Sequence, residues 1–240
     1  MQKSLRKTAL VTGAARRLGR EIALTLAHAG MDVAITYRSS AEEAQQTVNA
    51  MHLLGAEGMA APMDVRSAAS VKAAVDAVRN RFGRLDVLVN NAAIFASVPL
   101  DQITVEQWDA VFETNARGPF LVAREALPAL RAAEGRIVNL GSLGGSHAWA
   151  THGHYCASKA ALEMLTKVMA KAFAPQVSVN CVAPGFIAFD GEAQAAYFLA
   201  KTPMGRNGSA QDVAEAVRFF ATGPGFITGQ VLTVDGGLGL

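Results

Sequence analysis

Thr8-Ala9-Leu10-Val11-Thr12-Gly13-Ala14-Ala15-Arg16-Arg17-Leu18-Gly19 is the stretch from which the rest of the chain is read. Residues 8–12 form a short apolar run, and the glycine turn behind them opens directly into a segment of helical period over 18–29. Such a turn gathers free backbone amides and the positive end of a helix dipole at one point, which suits a pyrophosphate. The same alternation continues outward. Further strands are expected at Asp32–Tyr37, Gly58–Pro62, Val87–Asn90, Arg136–Leu140, 178–182 and 230–234, with helices at 41–54, 68–82, 105–133 (bent or broken by Pro119 and Pro128), 155–173 and 211–220. This order predicts one doubly wound α/β domain over residues 1–240, a seven-stranded parallel sheet with helices on both faces. Ligands are expected at the edge where the carboxyl ends of the strands meet. Residues 185–208, the least regular stretch, surround a small helical pattern at 192–200 and read as a flap over a substrate or as an ordinary surface excursion.

Composition narrows the function classes. The 240 residues are 51% hydrophobic and carry 22 Lys plus Arg against 20 Asp plus Glu, a net charge of +2. A domain of this length buries roughly 70–75% of its unfolded surface, so neither disulfides nor a structural metal is needed. Cys156 and Cys181 follow no metal-ligand spacing and fit a reducing compartment. Near-neutral charge without a basic-aromatic patch argues against nucleic acid as a partner. The apolar stretch behind Lys3, Arg6 and Lys7 is cut by Thr12, Gly13, Arg16 and Arg17, which is unlike a signal peptide. With no apolar run of about 18 residues, a cytoplasmic protein without membrane attachment is expected.

Strand Asp32–Tyr37 leads into Arg38-Ser39-Ser40, without the Asp or Glu that would hydrogen-bond the ribose 2′-hydroxyl of NAD. An arginine there suits a 2′-phosphate. NADPH/NADP+ is therefore expected over NAD, with Arg38, Ser39 and Arg17 supplying donors beside Tyr37; a solvated loop arginine is the plainer reading.

The motifs also fall in an order. The turn from Thr12 to Gly19, Asp64-Val65, Asn90-Asn91-Ala92-Ala93, Asn115, Ser142, Tyr155-Cys156-Ala157-Ser158-Lys159, Pro184-Gly185 and Thr233-Val234-Asp235-Gly236-Gly237 resemble, nearly end to end, the short-chain dehydrogenase/reductase family with its Rossmann fold. The resemblance implies a nicotinamide-dependent oxidoreductase acting on a small molecule. It implies a cofactor held by Gly13, Arg16, Arg17, Leu18 and Gly19 at the turn and by Asp64 and Val65 at the adenine. Asn91, Ala92, Ala93, Tyr155 and Lys159 would line the rest of the cofactor, with Pro184 and Gly185 flanking the nicotinamide. A homotetramer built through helices 105–133 and 155–173 is implied as well.

Tyr155 and Lys159 are four residues apart, so on a helix they share a face. An ammonium about 4 Å from a phenol at an effective dielectric near 20 is worth roughly 4 kcal/mol, enough to lower a pKa near 10 by about three units. Lys159 is thus expected to poise Tyr155 as a general acid for reduction. Ser142, at a strand end, would polarise a carbonyl oxygen, and by resemblance Asn115 would anchor a water that links Lys159 to solvent. Singly, each has a plainer reading: a surface contact, turn chemistry, a buried helix residue bonded to backbone.

The substrate is read from departures. Arg17 stands where the family commonly has glycine, and the Arg-Leu-Gly ending, Phe95 after Asn90-Asn91-Ala92-Ala93-Ile94, and Asn115-Ala116-Arg117-Gly118-Pro119-Phe120 resemble the pteridine reductase branch. There the arginine lies near pyrophosphate and pterin and the aromatic ring stacks on the pterin; a surface arginine and a core phenylalanine are the alternatives. Ser142 points the other way, because that branch carries an aspartate there to protonate a ring nitrogen, whereas a serine suits a C=O bond. The expectation is an NADPH-dependent reductase of a C=O or C=N substrate, pteridine-reductase-like, with Phe95, Arg17, Ser142 and Tyr155 at the substrate. A ketone or 3-oxoacyl reductase or an alcohol dehydrogenase is the alternative, and a non-catalytic NADP sensor a third. A serine hydrolase is disfavoured, since Leu140 stands where G-x-S-x-G needs glycine, and no metal site is expected from His147, His152 and His154.

Overall fold

A computed structural model describes residues 6–189, 191 and 193–240. Seven parallel strands form one sheet: β1 (Thr8–Val11), β2 (Asp32–Tyr37), β3 (Gly58–Pro62), β4 (Val87–Asn90), β5 (Arg136–Leu140), β6 (Ser178–Pro184) and β7 (Val231–Val234). Their order is β3-β2-β1-β4-β5-β6-β7. The chain runs outward from β1 to β3, then restarts on the other side of β1 at β4. That reversal opens a crevice at the carboxyl ends of β1 and β4.

Helices cover both faces, as expected: α1 (Arg17–His28), α2 (Ala41–Leu53) and α8 (Ala210–Thr222) on one, α3 (Ala68–Phe82), α4 (Val105–Phe112), α5 (Gly118–Ala132) and α6 (Gly153–Phe173) on the other. β1 is fully buried, and its alternate residues divide between two cores. Ala9 and Val11 pack with Ile22, Leu26 and Phe220, while Leu10 packs with Val75, Val122 and Leu130. A strand so enclosed reads as an unbroken apolar run, which is why it is legible in sequence.

The helix expected over 105–133, bent or broken by Pro119 and Pro128, is broken earlier: two helices are joined by a wide five-residue π turn, Glu113–Arg117. The break precedes both prolines: Pro119 follows the π turn in the first turn of α5, and Pro128 lies inside an unbroken helix. Gly118 lets the turn close, since a Cβ there would stand 3.0 Å from Cβ of Val65.

Residues 185–208 contain the short helix α7 (Ala195–Leu199). The ends of this segment are tied by a bridge between Ile187 and Gly208, and Phe186 stacks on Phe198 with centroids 4.2 Å apart. The helical pattern expected at 192–200 begins at Glu192, which, like Asp190, lies outside the described residues. Among the described residues no helix is long and apolar enough to cross a membrane.

Candidate active site

The crevice between β1 and β4 is a cleft of about 390 Å³, lined by Gly13, Arg16, Arg17, Leu18, Gly19, Tyr37, Arg38, Ser39, Asp64, Val65, Asn91, Ala92 and Ala93, all read as cofactor residues in the sequence. Its floor is laced together. Thr12 Oγ1 accepts from the backbone N–H groups of Asn91 and Ala92, both at 3.0 Å, and Asn91 Nδ2 donates to the carbonyls of Thr12 and Gly13 at 2.9 and 3.0 Å. Gly13 has φ +63°, and a Cβ on it would lie 2.9 Å from Cα of Ala92. On Gly19 a Cβ would be 2.5 Å from Asn91 Nδ2. Two glycines thus clear a cradle at a helix N-terminus, the environment a pyrophosphate needs. Arg17, which stands between Gly13 and Gly19 where the family commonly has glycine, adopts φ +53° and lays its guanidinium 4.3 Å from the ring centroid of Phe189 in the 185–208 segment. Asp64 lines the cleft, but its carboxylate is held by Arg66 at 2.6–3.2 Å, which brings its pKa down to about 2. No carboxylate ends β2, and Arg38 and Ser39 occupy that corner.

The catalytic candidates sit where β5 ends and α6 begins. A buried polar chain sets their register: Asn90 Nδ2 donates to Asn139 Oδ1, and Asn139 Nδ2 to Thr166 Oγ1, both at 2.8 Å, tying β4 to β5 and β5 to α6. Ser142 opens a tight turn in which its Oγ accepts from Gly144 N at 3.1 Å, and its hydroxyl acts on Tyr155 by lowering the phenol's pKa. Lys159 is 3% exposed, donates to the Leu140 carbonyl at 2.7 Å, and stands 5.7 Å from the ring centroid of Tyr155. Burial pulls its pKa down to about 8, against the opposing influence of Cys181 and Glu163.

Tyr155 differs from expectation. Burial raises its pKa, Ser142 lowers it only in part, and Cys156 raises it further. The ammonium is turned to the Leu140 carbonyl, so desolvation of the phenol outweighs Coulombic help from Lys159. A phenol held above its ordinary range keeps its proton near neutrality and acts as a donor.

Asn115 lies within the π turn and is fully buried. Its side chain accepts from Ile94 N at 2.9 Å and donates to Ile94 O at 3.0 Å and to Ser158 Oγ at 3.1 Å. Ile94 lines the cleft, so Asn115 fixes the strand end that leads from the cleft to Phe95. Phe95 is 62% exposed, not core, and its ring meets Tyr155 edge-on at 4.8 Å and stacks on His152 at 4.7 Å. Trp149 lies parallel to Tyr155 at 6.3 Å and edge-on to His152 at 5.7 Å. Sequence reading passed over Trp149 and His152 as a rim. Their one signal was a ring-rich stretch, 147–155, between the two catalytic candidates. Pro184 ends β6 beside Val234, and Gly185 follows it, its N donating to Val234 O at 3.0 Å. Among the described residues no group of three or more His, Cys, Asp or Glu could hold a metal ion.

Comparison with known proteins agrees with this geometry. A family model described as enoyl-(acyl carrier protein) reductase matches residues 13–239. The 3-oxoacyl-[acyl-carrier-protein] reductase FabG of Staphylococcus aureus is 39% identical over 240 residues, covering 97% of this chain and 98% of that protein. Among solved structures, a dehydrogenase/reductase from Sinorhizobium meliloti superimposes with TM-score 0.93 at 38% identity over 99% of this chain and 97% of that one. A variant of a Serratia marcescens short-chain dehydrogenase/reductase gives TM-score 0.92 at 32% identity, covering 98% of each chain. With the glycine cradle at the strand reversal and a tyrosine, lysine and serine gathered at its end, the chain belongs to the short-chain dehydrogenase/reductase family of oxidoreductases.

Proposed function

We propose that the protein is an NADPH-dependent reductase of a small-molecule carbonyl compound, of the ketone or 3-oxoacyl kind. The observation that carries it is the gathering of Ser142, a protonated Tyr155 and the buried Lys159 where β5 ends and α6 begins. A serine hydroxyl and a phenol can both hold the oxygen of a C=O group, and the phenol then delivers its proton as charge develops there. The cleft residues hold the cofactor, which supplies the hydride. Arg38 and Ser39 would hold its 2′-phosphate, and Pro184 and Gly185 would flank the nicotinamide. The FabG name of the relatives supports this reading over the pteridine one.

One observation keeps a pterin in the experiment as the second reading: the exposed Phe95 ring beside Tyr155 offers a flat face to a heterocycle. Residues 185–208 cover the substrate, and Arg17 against Phe189 supports that role. Exposed Phe120, Met164 and Val168 on α5 and α6 support a homotetramer, and two free cysteines are in keeping with a cytoplasmic setting.

The test follows NADPH consumption with a 3-oxoacyl thioester, small ketones and dihydrobiopterin. Turnover of carbonyl compounds is expected. Turnover of the pterin alone replaces this reading with the second, and tight NADPH binding without turnover replaces both with a sensor.

A further inference from the structure

Beneath the turn that carries Ser142 lies an acidic side chain that the reaction as described leaves without a role. Glu163 stands one helical turn beyond Lys159 on α6. Its carboxyl reaches under residues 141–145: a Cβ on Gly145 would collide with Oε1, and one on Gly141 would stand 3.4 Å from it. That oxygen is buried and has no hydrogen-bond partner among the described residues, a costly condition unless a charge nearby compensates it. Cys181 closes the niche from the sheet, its sulfur 2.7 Å from where a Gly141 Cβ would be.

Asn115, expected to serve Lys159 through a water, is taken up by Ile94 and Ser158, so the ammonium's support lies elsewhere. Burial drives its ammonium toward deprotonation, with Cys181 and then Glu163 opposing. The thiol is itself pushed up to about 12 by burial and carries no charge where Lys159 titrates, near 8. Tyr155, the remaining titratable group against Lys159, is raised by burial and is neutral there too. That leaves the carboxylate. Burial raises Glu163 as well, while Lys167 and Lys159 hold it toward its ionised form.

We propose that Glu163 is a positioning residue of the catalytic centre, whose carboxylate under the Gly141–Gly145 turn keeps the buried Lys159 cationic. It rests on the carbonyl-reductase reading only for its link to rate, and the primary test needs no turnover. Lysine labelled with carbon-13 at Cε is titrated by NMR in the full-length protein, with the Lys159 resonance assigned from Lys159→Arg. In Glu163→Gln the Lys159 midpoint falls by about one pH unit, tenfold in its acid constant, and in Glu163→Asp by less. An unchanged midpoint in Glu163→Gln overturns the proposal. If that variant does not fold, the wild-type resonance decides. A second, smaller inflection at acid pH, as Glu163 takes up a proton, is expected, and its absence is equally fatal. The alkaline limb of kcat/KM on a carbonyl substrate shifts with the midpoint in Glu163→Gln. A shifted midpoint in a protein that reduces no carbonyl compound leaves Glu163 in place and removes the proposed function instead.

Discussion

Tyr155 and Lys159 are both desolvated, but the consequences have opposite signs: burial keeps the phenol protonated and loosens the proton of the ammonium. Reduction needs both protons in place, so kcat/KM for reduction should fall as pH rises through about 8, where Lys159 titrates, and a pH–rate profile with saturating NADPH checks this. Tyr155→Phe should cost on the order of 10²–10⁴ in kcat while NADPH binding, read by fluorescence titration, is unchanged. Lys159 also has a cost in stability. Between about 8 and its ordinary 10.5 the unfolded chain binds a proton that the folded chain does not, so stability should rise with pH in that window. Lys159→Met should abolish that rise while destroying activity, as urea unfolding at several pH values would record. The pairing of these two residues was legible from their spacing. The sign of the shift on Tyr155 was not, because it depends on which acceptor the ammonium reaches and on how much water the phenol loses.

Among the elements, the turn after β1 and the loop after β2 were the most readable, since glycine at a positive φ and a missing carboxylate are both visible as residue types. Gly13→Ala should weaken NADPH binding at least tenfold and destabilise the fold by about 1–3 kcal/mol, because the added carbon strikes Ala92 at a left-handed position. Arg38→Ala should raise Kd for NADPH by roughly tenfold to a hundredfold and leave that for NADH nearly unchanged, a difference that isothermal titration separates. The break between α4 and α5 was misplaced in sequence because proline is the loudest helix-breaking residue type, whereas a π turn has no composition of its own. Asn115 read both as a water anchor and as a buried helix residue bonded to backbone; the geometry gives the backbone bonds and supplies their partner, Ile94. Trp149 went unread, and His152 was weighed only as a metal ligand, for a similar reason: a rim of rings depends on how a connection folds back on itself.

At the scale of the whole molecule, strand order alone brings the turn, Asn91, Ser142 and Pro184 to one edge of the sheet. That much followed from alternating periodicity, and boundaries moved by only a residue or two, as where β6 runs on to Pro184. Assembly has no periodic signature, and the proposed homotetramer is tested at the exposed faces: Val168→Glu should reduce the scattering mass of the assembly without unfolding the subunit. The π turn has a consequence for anyone who would improve this protein. Trimming one residue from Glu113–Arg117 would let α4 and α5 fuse into a regular rod with conventional bonding and the same packed faces, and thermal resistance should hold or increase. The clamp on Ile94 would go with it. Redesign guided only by robustness would therefore choose this deletion early, and would end with a sturdier scaffold that has lost its chemistry.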